Sequence, residues 1–154
     1  MTDIADRTLT LTRLIDATPD KVYRCWVEPE LIKQWFAPKP WSTSKVDSDF
    51  RAGGATTVTM ADENGVEYPN PGQYLEIVPN KKLVFTDAYV GDWAPSEKPF
   101  FTAVLTFEAE GGKTRYTAKA LHWTKEDKDA HEQMGFHEGW GITTSQLEAL
   151  ARTL

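Results

Sequence analysis

A single cysteine, Cys25, occurs among the 154 residues, which excludes an intramolecular disulfide framework and a thiolate metal cluster. Its neighbours Val22, Tyr23 and Trp26 mark it as a small apolar filler rather than an activated nucleophile. No apolar run approaches the roughly eighteen residues that a membrane span requires. The first fifteen residues interleave Asp3, Asp6, Arg7 and Arg13 with short apolar stretches, so no signal peptide is read there and the cytoplasm is the expected compartment. Basic runs are nearly lacking, Lys81-Lys82 being too short to count. With a net charge of −6, nucleic acid and anionic membrane surfaces are not the expected partners. Gly-x-Ser-x-Gly, P-loop and dinucleotide fingerprints are missing as well, and Arg51-Ala52-Gly53-Gly54 reads as a turn, so no cofactor is expected.

What is present is apolar and aromatic. The hydrophobic fraction of 40% is ordinary, but aromatics make up 12% and include six Trp. Such rings fill a core, line an apolar pocket or form an interface. A chain of this length fits one domain over residues 1–154, with a core burying roughly 70% of the unfolded surface.

Alternation from Thr8 to about Asp16 gives a first strand. Thr18-Pro19-Asp20 is a helix start, with a hydroxyl cap, proline in the first turn and an acid at the positive end. Val22, Tyr23, Trp26 and Val27 form the apolar side of this short helix. Glu28-Pro29-Glu30 begins a second, with Leu31, Ile32, Trp35 and Phe36 as its apolar side, stopped by Ala37-Pro38-Lys39-Pro40. Six strands follow, expected at 43–50, 55–61, 72–78, 83–90, 100–108 and 114–123. Short turns rich in Gly, Asn and Asp join several of them, so the joined strands are antiparallel neighbours. Pro69-Asn70-Pro71 and 91–98, which carries Trp93, read as irregular. The second of these is a plausible lid or a turn plugged by one aromatic.

Residues 124–154 read as one long helix capped by Thr124, with Asp127 three positions on. At 100° per residue, Phe136, Trp140, Thr143, Leu147, Leu150 and Leu154 share an arc of about 80°. Continued toward the N-terminus, that face meets Gln133, Glu132 and Asp129. The helix is therefore expected to grip a sheet at one end and roof a partly polar cavity at the other. Gly135, Gly139 and Gly141 each cost about 1 kcal/mol of helix propensity, which a bend near Phe136 or a close approach to the sheet would offset.

Several ordered segments carry a resemblance: Thr18-Pro19-Asp20-Lys21-Val22-Tyr23, Pro29-Glu30-Leu31-Ile32-Lys33-Gln34-Trp35-Phe36, Gly72-Gln73-Tyr74-Leu75-Glu76-Ile77-Val78-Pro79, Leu83-Val84-Phe85-Thr86, Leu105-Thr106-Phe107-Glu108 and Glu138-Gly139-Trp140. Together the sequence resembles the Hsp90-ATPase-activator-homologue-like branch of the START and Bet v 1-like superfamily. The resemblance implies an α+β helix-grip fold in the order β-α-α-β6-α, a curved antiparallel sheet wrapping the long C-terminal helix around a cavity. It also implies a small apolar or amphipathic ligand, since members of the superfamily hold such molecules and some are enzymes. The co-chaperone that names the branch has a further N-terminal domain for which this chain has no room, so an Hsp90-type chaperone is not the expected partner. Homodimerisation stays open.

The expected cavity floor is the row Tyr116, Ala118, Ala120 and His122, beside Leu105, because two alanines leave space between a phenol and an imidazole. The alternative is that Trp140 or Phe136 fills that space. Trp35 and Phe36 are expected as walls, with Met60 and Phe85 from neighbouring strands and Phe136 and Trp140 from the helix. His122, Glu132 and Asp87 are the candidates for acid–base chemistry should they converge. His131 and His137 are six residues apart, about 240° around a helix, so they do not share an ion and no metal site is expected.

Overall fold

A computed structural model describes residues 3–154. A 3-10 turn over Ile4–Arg7 leads into β1 (Thr8–Ile15), followed by α1 (Pro19–Val27) and α2 (Pro29–Trp35). Strands β2 (Ser42–Ser48), β3 (Ala55–Ala61), β4 (Glu67–Val78), β5 (Lys82–Thr86), β6 (Phe101–Glu110) and β7 (Lys113–His122) come next. The chain ends in α3 (Lys125–Gln133) and α4 (Phe136–Ala151). All seven strands form one antiparallel sheet in the order β1-β7-β6-β5-β4-β3-β2.

That order corrects the expected curved sheet wrapped around one long helix. The sheet is open: β1 and β2 are its two edges, and the connection through α1 and α2 carries the chain from one edge to the other. Curling the sheet around a helix would bring those edges together, whereas here α2 packs against β2 instead.

The long helix is corrected too. It is two helices meeting at Gly135, whose φ of +96° is left-handed and is the conformation glycine reaches most cheaply. Thr124 caps α3 as expected, its Oγ1 accepting from the Asp127 N–H at 3.1 Å. On α4 the buried residues are Phe136, Thr144, Leu147 and Ala151, with Trp140 and Leu150, and Leu154 beyond the helix end, partly buried against the core.

The main core joins α1, α2 and α4 to the inner face of the sheet through Val22, Trp26, Trp35, Leu105, Phe107, Tyr116 and Leu147. Burying each such side chain contributes about 1.5–3 kcal/mol before conformational costs. Polar contacts fix α4 on its bed: Arg13 Nη1 donates to Ser145 Oγ at 2.7 Å and the Asp16 N–H to Glu148 Oε2 at 2.8 Å. Gln146 Nε2 donates to the Trp35 and Ala37 carbonyls at 2.8 and 2.9 Å, satisfying groups that the end of α2 leaves open. Trp35 and Phe36 are thereby held in place.

Strand β4 starts at Glu67 rather than Gly72, so Pro69 and Pro71 lie inside a strand. Tyr74 exchanges both main-chain bonds with Gly53 and Gly54, which continue the β3 side. By alternation, residues 68, 70 and 72 face β3, while 69 and 71 face away. Pairing with β5 begins only at Gln73↔Thr86, so both prolines point their missing donors at a stretch of edge that β5 does not reach.

Candidate functional site

The early split between β4 and β5 helps to open a cavity of about 880 Å³. Its floor is formed by Thr56, Val58 and Met60, alternate residues of β3, and by residues 69–72 and Tyr74 of β4, joined by Leu83 and Phe85. Trp26, Ile32, Trp35 and Phe36 wall it from the two short helices, and His131, Met134, Trp140, Thr143 and Thr144 cover it from the C-terminal pair. The segment 87–101 closes one flank with Asp87, Val90, Ser96, Lys98 and Phe101 among others. Exposed residues at Asn70, Lys98 and Met134 mark where it meets solvent.

Of the residues expected from sequence, Trp35, Phe36, Met60, Phe85, Tyr116 and Trp140 come together on this cavity, as does Asp87. Leu105, Ala118, Ala120, His122, Phe136 and Glu132 lie elsewhere. Ala118 and Leu105 are fully buried in the main core, and Ala120 packs with Leu9 and Phe136 in a second cluster. The space over the alanines is thus occupied, and the floor lies on β3, β4 and β5 instead. The three acid–base candidates do not converge. Glu132 is on the surface beside His137, at 3.2 Å, with Lys128 on its other side, and His122 sits behind His131 rather than on the cavity.

His131 is the residue that sequence reasoning missed. The break at Gly135 resets the phase of the helix, so α3 turns His131 inward where a continuous helix would present Gln133, Glu132 and Asp129. The imidazole is enclosed by Phe100, Phe101 and Phe136 at ring separations of 5.1, 5.2 and 5.2 Å. Its Nδ1 lies 2.8 Å from His122 Nε2, and His122 Nδ1 lies 2.9 Å from the Arg7 carbonyl oxygen. Burial, followed by the neighbouring His122, pushes the pKa of His131 down to about 4, so the ring is neutral at pH 7.

Asp87 is half-buried, and one of its oxygens, Oδ1, accepts from the Phe100 and Phe101 N–H groups at 2.8 and 3.2 Å. Burial raises its pKa above the usual carboxylate value, the two N–H groups oppose this, and Asp127 adds to the rise. Tyr116 is fully buried, and its hydroxyl accepts from Trp26 Nε1 at 3.2 Å. Burial likewise raises the Tyr116 phenol and pushes the Cys25 thiol up to about 11, which leaves Cys25 an inert filler. Among the described residues no group of three or more His, Cys, Asp or Glu is placed to hold a metal ion, and no helix is long and apolar enough to cross a membrane.

Trp93 lies on the 87–101 segment, but with Asp92 it has left-handed backbone, φ 66° and 50°. The conformation is tied down: the Trp93 N–H donates to Gln73 Oε1 at 2.8 Å, and Arg51 Nη2 reaches Asp92 Oδ1 at 2.8 Å. The indole is 55% exposed and neither plugs nor lines the cavity.

An open antiparallel sheet with helices over one face and an apolar cavity between the layers defines a helix-grip-like arrangement of the kind built to hold small molecules. The chain belongs to the family described as Activator of Hsp90 ATPase homolog 1-like protein, whose profile matches residues 16–152, and so to the START and Bet v 1-like superfamily. No curated protein matches the sequence. A crystal structure of a protein from Nitrosomonas europaea is similar at 42% identity, covering 99% of this chain and 97% of that one with a TM-score of 0.93. A protein from Mycobacterium smegmatis is 26% identical over 96% of this chain and 92% of its own, with a TM-score of 0.80. An AHSA1-like protein from Aeromonas hydrophila, at 19% identity over 95% and 92% of the two chains, shares the fold with a TM-score of 0.73.

Proposed function

We propose that this chain is a single-domain container for a small, mostly apolar molecule, held between the sheet and the helices. One observation carries the reading: a cavity of about 880 Å³, within the roughly 300–1,000 Å³ typical of small-molecule sites, whose walls are mainly aromatic and aliphatic. Trp35, Phe36, Met60, Phe85, Tyr116 and Trp140 are the residues assigned to the ligand. Family membership supports the reading, because helix-grip folds hold apolar molecules between the same layers.

The test is titration with N-phenyl-1-naphthylamine, a neutral apolar fluorophore. Saturable binding near one equivalent is expected, and Val58→Trp, which places an indole in the floor, should abolish it while the melting temperature stays near that of the unaltered protein. No binding to the unaltered protein, or binding that Val58→Trp leaves intact, would overturn the assignment.

A further inference from the structure

The two histidines behind the roof fix the hydrogen-bonding character of the cavity. A carbonyl oxygen only accepts, so the 2.9 Å contact between His122 Nδ1 and the Arg7 carbonyl places a proton on Nδ1. In the neutral imidazole His122 Nε2 is then a bare acceptor. With both rings neutral, the 2.8 Å contact to His131 Nδ1 is a bond that His131 donates. With its proton committed to Nδ1, His131 has a lone pair at Nε2, and no hydrogen bond to that atom is made among the described residues. His131 itself lines the cavity. A main-chain carbonyl thus sets, through two rings, which nitrogen of His131 carries a proton.

Asp87 adds to this. Both of its main-chain donors reach Oδ1, leaving Oδ2 without a hydrogen bond among the described residues. His131 Nε2 and Asp87 Oδ2 are thus two acceptors without partners among the described residues, on side chains that line a largely apolar cavity, where an unmatched polar group costs more than in water. A carboxylate ligand would add negative charge beside Asp87, and Lys98, the one Lys or Arg among the lining residues, is exposed at the rim. A neutral hydroxyl matches.

Resting on the container reading, we propose that the ligand is an uncharged apolar molecule carrying a hydroxyl, such as a phenol or alcohol, whose O–H donates to His131 Nε2. His131 is the specificity-determining contact, and His122 is a positioning residue that holds its tautomer.

Three matched probes test this by quenching of tryptophan fluorescence: 4-nonylphenol, nonylbenzene and 4-nonylbenzoate. The phenol is expected to bind about tenfold more tightly than the hydrocarbon, the worth of one net hydrogen bond, and the benzoate most weakly. His131→Phe keeps an aromatic ring among the three phenylalanines and should bring the phenol to parity with nonylbenzene. Nitrogen-15 imidazole spectra of the unaltered protein at pH 7 should show both protons on Nδ1, and His122→Phe should release His131 into a mixture of tautomers. Equal binding of phenol and hydrocarbon, a preference that survives His131→Phe, or a proton on His131 Nε2 would overturn the hydroxyl assignment while leaving the container intact. Failure of all three probes to bind would overturn the container reading as well.

Discussion

Trp26 and Tyr116 stand 90 positions apart in the chain, yet the indole Nε1 donates to the phenol Oη at 3.2 Å with both groups buried. The bond ties α1 to the strand at the centre of the core. Tyr116→Phe would leave a buried N–H without its acceptor, at a cost of about 1–3 kcal/mol. In urea unfolding, Trp26→Phe combined with Tyr116→Phe should cost less than the two single changes summed. The phenol also sets an alkaline limb. Its folded pKa is raised by burial, so its contribution is complete below the ordinary tyrosine value of about 10 and is lost as pH rises beyond it. Stability measured across that range should fall less steeply in Tyr116→Phe.

Gln146 holds the end of α2 through two donated bonds while its Oε1 accepts from the Lys39 N–H at 3.2 Å. Gln146→Glu would set a carboxylate against two carbonyl oxygens. A loss of about 1–3 kcal/mol is expected at pH 7, smaller at pH 4 where a protonated acid can donate again. Equal losses at both pH values would show that repulsion between the carboxylate and the two carbonyl oxygens is not the cause.

His131 sets an acid limb. Its folded pKa of about 4 lies below the ordinary 6.5, so the stability it contributes is complete above pH 6.5 and is lost as pH falls toward 4. His131→Phe should flatten the dependence of unfolding free energy on pH within that window. Because one proton already lies between the two rings, the next can land only on His131 Nε2. Any phenol preference should therefore weaken as pH falls through about 4, measured by repeating the titration from pH 7 downward.

Ala118 is fully buried among core side chains and does not line the cavity. Ala118→Leu should therefore overpack the core, lowering stability by about 1–3 kcal/mol, and leave the affinity for N-phenyl-1-naphthylamine unchanged in whatever fraction stays folded.

Local signals were legible where the chemistry is local. Thr18-Pro19 starts a helix, Thr124 caps one through Asp127, and Gly111-Gly112 turns a hairpin, because each rests on dihedral preferences of adjacent residues. Periodicity put Trp35, Phe36 and Trp140 on apolar helix faces, and the family resemblance turned those faces toward a cavity. The reading of one continuous helix failed because a single residue changed the geometric frame. Gly135 reset the helical phase and brought in His131 in place of Glu132. The prolines at 69 and 71, read as irregular, are accommodated in β4 because β5 does not extend alongside them, a fact of tertiary pairing that no window of sequence contains. The alanines of β7 left room for Phe136 to pack beside Ala120, and volume alone does not say which neighbour claims it.

Pro69 and Pro71 work like missing teeth in a zipper. Two donors are absent along the margin of β4 where it parts from Thr86, so the seam cannot be drawn shut there by main-chain bonds, and no strand of a second molecule can be stitched onto it in full register. The cavity thereby borders a stretch of β4 that main-chain pairing with β5 does not close, a gap set by covalent structure.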